Sequence, residues 1–213
     1  MTLLGVLWFL LLLQVVLVGF CLLVVRRGLI WAKIGFGPIR WRAFIWLLPS
    51  ILLMGMMIHD IAPYLNWQVV RDIGVMSMIL LVVVPILIGF SEEAMFRGIL
   101  LRGAIEQLST VSAMMLSAVF FALLHAISGL VTQAFWPSLH QLALAFCVGL
   151  FLAPVALRIG NLWPLIVWHA AWDMIILLGR FVAVEHPLAL AGILLQLIWC
   201  VPIWTGTVRA GQR

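Results

Sequence analysis

Residues 73–108 read IGVMSMILLVVVPILIGFSEEAMFRGILLRGAIEQL, and this stretch decides what kind of protein the chain is. The first half, to Phe90, is almost wholly apolar. The second half keeps a helical pattern to Leu108 but sets Glu92, Glu93 and Arg97 among apolar neighbours. As one α-helix the stretch would be roughly 54 Å long, more than one bilayer crossing needs. A bend near Pro85 or Gly89 is the expected remedy, because proline removes a backbone donor and kinks helices. Helix beyond the bend would then carry the charged residues inside a membrane domain.

Working outward, the chain has 213 residues, of which 66% are hydrophobic and only 9% charged. A soluble domain carries about a quarter charged residues to cover its surface. The solvent over most of this chain must therefore be lipid. Apolar runs of about 20 residues each suffice for a helical crossing, and the short alternating segments of a β-barrel are absent. The runs cover about Thr2–Val25, Ala43–Ile58, the stretch from Ile73, Thr110–Ala126, His140–Leu157, Leu162–Leu178 and Leu188–Trp204. The first lacks a basic start and has the length of a full span, so it reads as a span and not as a cleavable signal peptide. The expected fold is all-α, a polytopic membrane bundle of about seven transmembrane helices. Residues 1–72 form an N-terminal two-span region with a basic loop, and residues 73–213 form the catalytic bundle of a single membrane domain.

Between the spans lie a basic loop, a polar connection from His59 to Asp72 with Pro63 and Asn66, and a loop with Gly129, Gln133 and Pro137. On a soluble protein the net charge of +5 would suggest a nucleic-acid partner. Here the basic residues fall in loops and set topology, so no nucleic acid is expected and the lipid bilayer is the first partner. An external N-terminus puts Arg26, Arg27, Lys33, Arg40, Arg42, Arg97, Arg102, Arg158, Arg209 and Arg213 on or toward the cytoplasmic side. Only Arg71 and Arg180 then face outward. The C-terminus is thus expected in the cytoplasm. Cys21, Cys147 and Cys200 stand singly in apolar runs, which argues for inert thiols and against a disulfide framework or thiolate metal site.

Charged side chains inside a bilayer face a partner or a wet cavity. Glu93 and Arg97 stand four apart and share a helix face, so they can pair. Glu92 is rotated about 100° away and can point into a different cavity. Phe121 and His125 stand near the end of the fourth span, and His169 and Asp173 lie four apart in the sixth. The polar turn at Gln107 and Ser109 joins two antiparallel helices, with Glu92 about fifteen residues before it and His125 about sixteen after. The two therefore reach a similar depth, and His169, about nine residues into its own span, reaches the same layer. Taken singly, an intramembrane Glu–Arg pair can simply pin two helices, and a lone histidine can be a helix–helix hydrogen bond. Gathered at one depth, the set suits hydrolysis. Glu92 and His125 can hold and deprotonate a water, and His169 can donate to a tetrahedral oxygen.

Most of the eleven tryptophans lie near span ends, where anchoring at the interface is the default. Trp168 and Trp172 flank His169 and are read as core packing, with a substrate groove as the other use. His59, His140 and His186 fall near loop ends and are read as solvated. Gly98 and Gly103 would allow close helix approach.

These motifs resemble those of the CAAX prenyl endopeptidase and bacteriocin-processing family (Abi or CPBP) of intramembrane proteases. Its EExxFRG motif is matched by Glu92, Glu93, Phe96, Arg97 and Gly98. Its FxxxH motif is matched by Phe121 and His125, and its HxxxN or HxxxD motif by His169 and Asp173. The resemblance covers about Val82 to Leu178. It implies a glutamate-type intramembrane endopeptidase in which Glu92 and His125 activate water while His169 and Asp173 stabilise the oxyanion. Glu93, Arg97, Phe96 and Phe121 would support the site. Asp173 departs from the asparagine of eukaryotic relatives, and an ionised carboxylate cannot donate a hydrogen bond. It is therefore protonated at depth or orients His169.

Family members have also been described as metalloproteases. No cofactor is expected, but zinc is possible, with Glu92, His125 and His169 as its ligands. The HExxH helix of a common zinc protease is missing. The implied partner is a membrane-anchored or membrane-delivered protein substrate, and the implied location is a bacterial inner membrane. Two other readings stand beside this one. They are a non-catalytic scaffold or bacteriocin-immunity protein of the same fold, and a proton- or ion-coupled carrier. The single charged cluster and the absence of an internal repeat weigh against the carrier.

Overall fold

A computed structural model describes residues 3–28, 30–132, 135–184 and 187–211. Side chains are described except at residues 3, 127–132, 135, 187–191 and 208–211. Among the described residues every regular element is a helix. The elements are α1 (Leu3–Arg26), α2 (Leu48–Ile61), α3 (Trp67–Ile73), α4 (Val75–Glu92), α5 (Leu101–Ile105), α6 (Thr110–Thr132), α7 (Phe135–Ile159), α8 (Trp163–Phe181) and α9 (Pro187–Gly211). A 3-10 turn over Trp41–Leu47 leads into α2, and a π-helical segment, Glu93–Leu100, joins α4 to α5.

Among the described residues five helical stretches are long and apolar enough to cross a membrane: Leu4–Arg26, Trp41–Tyr64, Val75–Ile105, Trp136–Ile159 and Trp163–Phe181. The fourth and seventh expected spans fall on α6 and α9, whose fully described parts, Thr110–Ala126 and Gly192–Thr207, are apolar but shorter. The protein is an integral membrane helical bundle. The outer face of α1, with Phe9, Leu12, Val16 and Phe20 exposed, is what a lipid solvent requires.

Several local expectations are corrected. The helix from Val75 runs on through Pro85 to Glu92, and the change in winding falls at Glu93–Leu100, on the charged motif itself. The Leu101 N–H reaches back five residues to the Phe96 carbonyl, the signature of π winding. The connection from His59 to Asp72 is largely helical. Its Asn66 side chain accepts from the backbone N–H groups of Gln68 and Val69 at 2.9 and 3.1 Å and so caps α3. The loop expected around Gly129 and Pro137 is much shorter, because α6 continues to Thr132 and α7 begins at Phe135. Pro137 lies in the first turn of α7, where a missing N–H costs no helical bond. Gln133 and His186 lie outside the described residues. His59 and His140 are exposed. Cys21 and Cys200 are buried, Cys147 is half-buried, and none is in a disulfide.

Helices in lipid gain little from hiding apolar surface from one another, so packing rests on close fit and a few polar contacts. Helix α4 is the centre, with α1 on one side and α8 on another. At Gly89 a Cβ would sit 2.7 Å from the Ile166 carbonyl oxygen, so only glycine lets α4 and α8 approach this closely. At Gly149 a Cβ would come within 2.9 Å of the Ala118 Cα, which marks a similar approach of α7 to α6. The largest core cluster joins α2, α7, α8 and α9 around Met57, Phe151, Leu165 and Ile203. Gly98 abuts the Ile34 carbonyl of the loop before α2, not another helix. Gly103 faces open space, contrary to its expected packing role.

Candidate active site

Three helical runs deliver the polar residues of the motifs to one place. Glu92 ends α4, and Glu93 and Arg97 lie in the π-segment. His125 comes from α6, and His169 and Asp173 come from α8. The close approach at Gly89, less than one turn before Glu92, sets the carboxylates of the motif beside His169. The expectation of one shared layer therefore matches where the structure puts these side chains.

Glu93 has the most constrained place. Its Oε1 accepts from Arg97 Nη1 at 3.0 Å and from His169 Nδ1 at 3.0 Å, and both Glu93 and Arg97 are fully buried. The sequence reading gave Glu93 only the pairing with Arg97. The structure adds His169: Glu93 holds its Nδ1, while Asp173 stands near its Nε2. The Arg97 guanidinium carbon lies 4.0 Å from the centroid of the Phe121 ring, a cation–π contact. Phe121 in turn meets Phe96 edge-on at 5.5 Å, His125 at 4.7 Å and His169 at 6.0 Å. Phe121 thus packs against the arginine and both histidines.

The second histidine is fixed in a similar way. His125 Nδ1 lies 2.9 Å from the Phe121 carbonyl oxygen. A carbonyl only accepts, so Nδ1 carries the proton and donates. His169 Nδ1 likewise donates to Glu93. Both histidines therefore turn Nε2 toward Glu92, whose Oε2 lies 3.9 Å from His125 Nε2 and 3.8 Å from His169 Nε2. That oxygen is buried, and among the described residues it has no hydrogen-bond partner. A buried carboxylate oxygen without a partner is costly, and gaps of this size between polar atoms suit a bridging water. Asp173 Oδ2 is 3.8 Å from His169 Nε2. Asp173 and His125 are about a quarter exposed, 25% and 23%, and they form the open rim of the site, while Glu92 and His169 form its floor.

No three His, Cys, Asp or Glu side chains among the described residues are grouped so as to hold one metal ion. The spacing of the two Nε2 atoms and Glu92 Oε2 suits a water.

Further contacts were missed in the sequence. Ser117, one turn before Phe121 on the same face of α6, donates to the Phe96 carbonyl at 2.9 Å. It ties α6 to the π-segment, and the spacing Ser117, Phe121, His125 was the available signal. Gln14, a lone amide in an otherwise apolar span, accepts from Ser91 Oγ at 2.6 Å. Cys21 Sγ lies 3.6 Å from the Ser91 carbonyl oxygen, so α1 grips the residue just before Glu92. Trp168 is core, as expected. It is buried, donates from Nε1 to Ser50 Oγ at 2.8 Å and stacks on the half-buried Trp172.

A family model described as type II CAAX prenyl endopeptidase Rce1-like matches residues 74–175. The matched region contains every motif residue named above. No curated protein and no solved structure matches the chain significantly.

Proposed function

We propose, from the match of residues 74–175 to the model described as type II CAAX prenyl endopeptidase Rce1-like, that the chain hydrolyses a peptide bond in a membrane-anchored or membrane-delivered protein by glutamate-activated water. The observation that carries this reading is the buried, unpartnered Glu92 Oε2 facing the Nε2 atoms of both histidines. A water seated among these three atoms gives up one proton to Glu92 while its oxygen attacks the scissile carbonyl carbon. His125, its Nδ1–H held by the Phe121 carbonyl, accepts from the water through Nε2 and aims it. The carbonyl becomes a tetrahedral oxyanion. His169 donates to that oxyanion from Nε2. With Nδ1–H already given to Glu93, this requires the doubly protonated ring. Asp173, acceptor-only when ionised, lies beside Nε2 and orients that proton. The proton on Glu92 then passes to the leaving nitrogen as the C–N bond breaks, giving a carboxylic acid and an amine.

The rim formed by His125 and Asp173 is where substrate enters. Arg26, Arg27, Arg40, Arg102 and Arg158 collect at the end of the bundle where α1 finishes and α8 begins, whereas Arg71 and Arg180 lie at the other. This distribution supports an N-terminus outside and a C-terminus in the cytoplasm.

The test compares new protein N-termini in membranes of cells expressing the wild-type chain or Glu92→Gln. Loss of a positioned general base typically lowers the rate by about 10²–10⁴, so a set of termini present with the wild type should vanish with the variant. Identical termini from both chains would leave a scaffold of the same fold. A chelator arm separates the metal-dependent version, since cleavage by this mechanism survives chelation.

A further inference from the structure

Away from the candidate site, the loop before α2 is stitched under the turn between α7 and α8. Phe36 forms an isolated antiparallel bridge with Asn161, the Leu162 N–H donates to the Gly35 carbonyl at 2.8 Å, and the Arg40 N–H donates to the Ile159 carbonyl at 2.9 Å. Gly35 and Gly160 both have positive φ, 105° and 77°, and each is covered by a guanidinium. A Cβ on Gly35 would meet Arg102 Nε at 2.7 Å, and a Cβ on Gly160 would meet Arg40 Nη2 at 2.8 Å. The loop is thus shaped around two arginines from distant parts of the chain.

Their partners are all neutral. Arg40 Nη2 donates to the Leu157 carbonyl at 2.7 Å, and Arg102 Nη2 donates to the adjacent Ala156 carbonyl at 3.3 Å. These carbonyls end α7, where a cation is favoured, but the two positive charges also repel each other. Among the described residues the carboxylates in ion pairs are Asp60, Glu92, Glu93 and Asp173, none of them with either arginine. Glu106, one turn beyond Arg102, is exposed and makes no such pair. Arg102 Nε is buried with no hydrogen-bond partner among the described residues.

The surroundings fix the depth. Trp31, Trp41 and Trp163 are exposed at this end of the bundle, and tryptophan favours the headgroup level of a membrane. Lys33 and Arg42 are exposed beside the pair in sequence. We propose that Arg40 and Arg102 form a binding site for the phosphate of an anionic membrane phospholipid. The phosphate neutralises the paired charge and ties the loop to α5 and to the α7–α8 turn. Guanidinium groups suit this ligand because their planar fork matches phosphate oxygens. The proposal stands apart from the proteolytic reading.

The test uses the purified full chain in nanodiscs of phosphatidylcholine or of phosphatidylglycerol, with the thermal unfolding midpoint as readout. The wild type should unfold at a higher temperature in phosphatidylglycerol. More than half of that gain should disappear in the double variant Arg40→Gln/Arg102→Gln and remain in Arg26→Gln/Arg27→Gln, which alters the basic end elsewhere. A full gain in the first variant, or an equal loss in the second, overturns the proposal. An equal midpoint gain from inorganic phosphate in phosphatidylcholine nanodiscs would make free phosphate the ligand and overturn the lipid assignment. Should the double variant not fold, native mass spectrometry of the single variants decides. Each should lose the phosphatidylglycerol that the wild type retains, and unchanged retention overturns the proposal.

Discussion

Arg97 and Arg102 stand five residues apart on one continuous helical run, yet they are satisfied in different ways. Arg97 is fully buried and takes its counter-charge from Glu93 on its own helix face and from the Phe121 ring. Arg102 lies where the run reaches the end of the bundle, and its one hydrogen bond goes to a neutral carbonyl. At depth the protein itself must supply the opposite charge, because nothing else there can. At the headgroup level the surroundings can supply it. In the candidate site Arg97 has its counter-charge within the protein, while Arg102 at the basic end has only a neutral acceptor.

Removing one partner of a buried pair strands the other. Arg97→Met is therefore expected to lower stability by about 3–5 kcal/mol, whereas Arg102→Gln should cost about 1 kcal/mol. Chemical unfolding in detergent measures both. The double variant Glu93→Leu/Arg97→Met should regain most of the lost stability, since no charge is left unpaired. It should stay inactive, because His169 loses the acceptor on Nδ1. Equal costs at positions 97 and 102 would break the contrast.

Helix approach sharpens it next. Gly89→Ala forces a Cβ to 2.7 Å from the Ile166 carbonyl, so α4 and α8 must separate where Glu92 meets His169. A shift of about 1 Å at a reacting centre costs about 100-fold in rate, and a cleavage assay at matched folded protein reads it. Gly103→Ala, with nothing within 4 Å, should keep full activity. It should gain up to about 1 kcal/mol from helix propensity. A smaller loss than at Gly89 is expected at Ser117→Ala, which removes the bond to the Phe96 carbonyl and should cost about 1 kcal/mol, with a several-fold drop in cleavage.

The run of long apolar helices and the meeting of Glu92, His125 and His169 were legible because hydropathy and residue counts along helices determine both. The π winding of Glu93–Leu100 was not, because it depends on which carbonyl a single N–H reaches, and composition does not record that. Pro85 drew the expected irregularity to itself although the helix passes through it. The role of Glu93 toward His169 was hidden for a related reason. The i, i+4 spacing to Arg97 explained Glu93 without any partner from 76 residues away. Gln14 was overlooked because one amide scarcely moves the hydropathy of a 24-residue span. The fold of residues 31–40 was read as a loop, since a pair of positive-φ glycines covered by arginines from elsewhere leaves no local pattern.

The most direct test of the central claim is an experimental structure of the wild-type chain in lipid at a resolution that shows ordered solvent. The account predicts one water within hydrogen-bonding reach, about 2.7–3.2 Å, of Glu92 Oε2 and of Nε2 on both histidines. A peak about 2.0–2.2 Å from all three atoms would be a metal ion and would contradict it, as would Glu92, His125 and His169 turned away from one another.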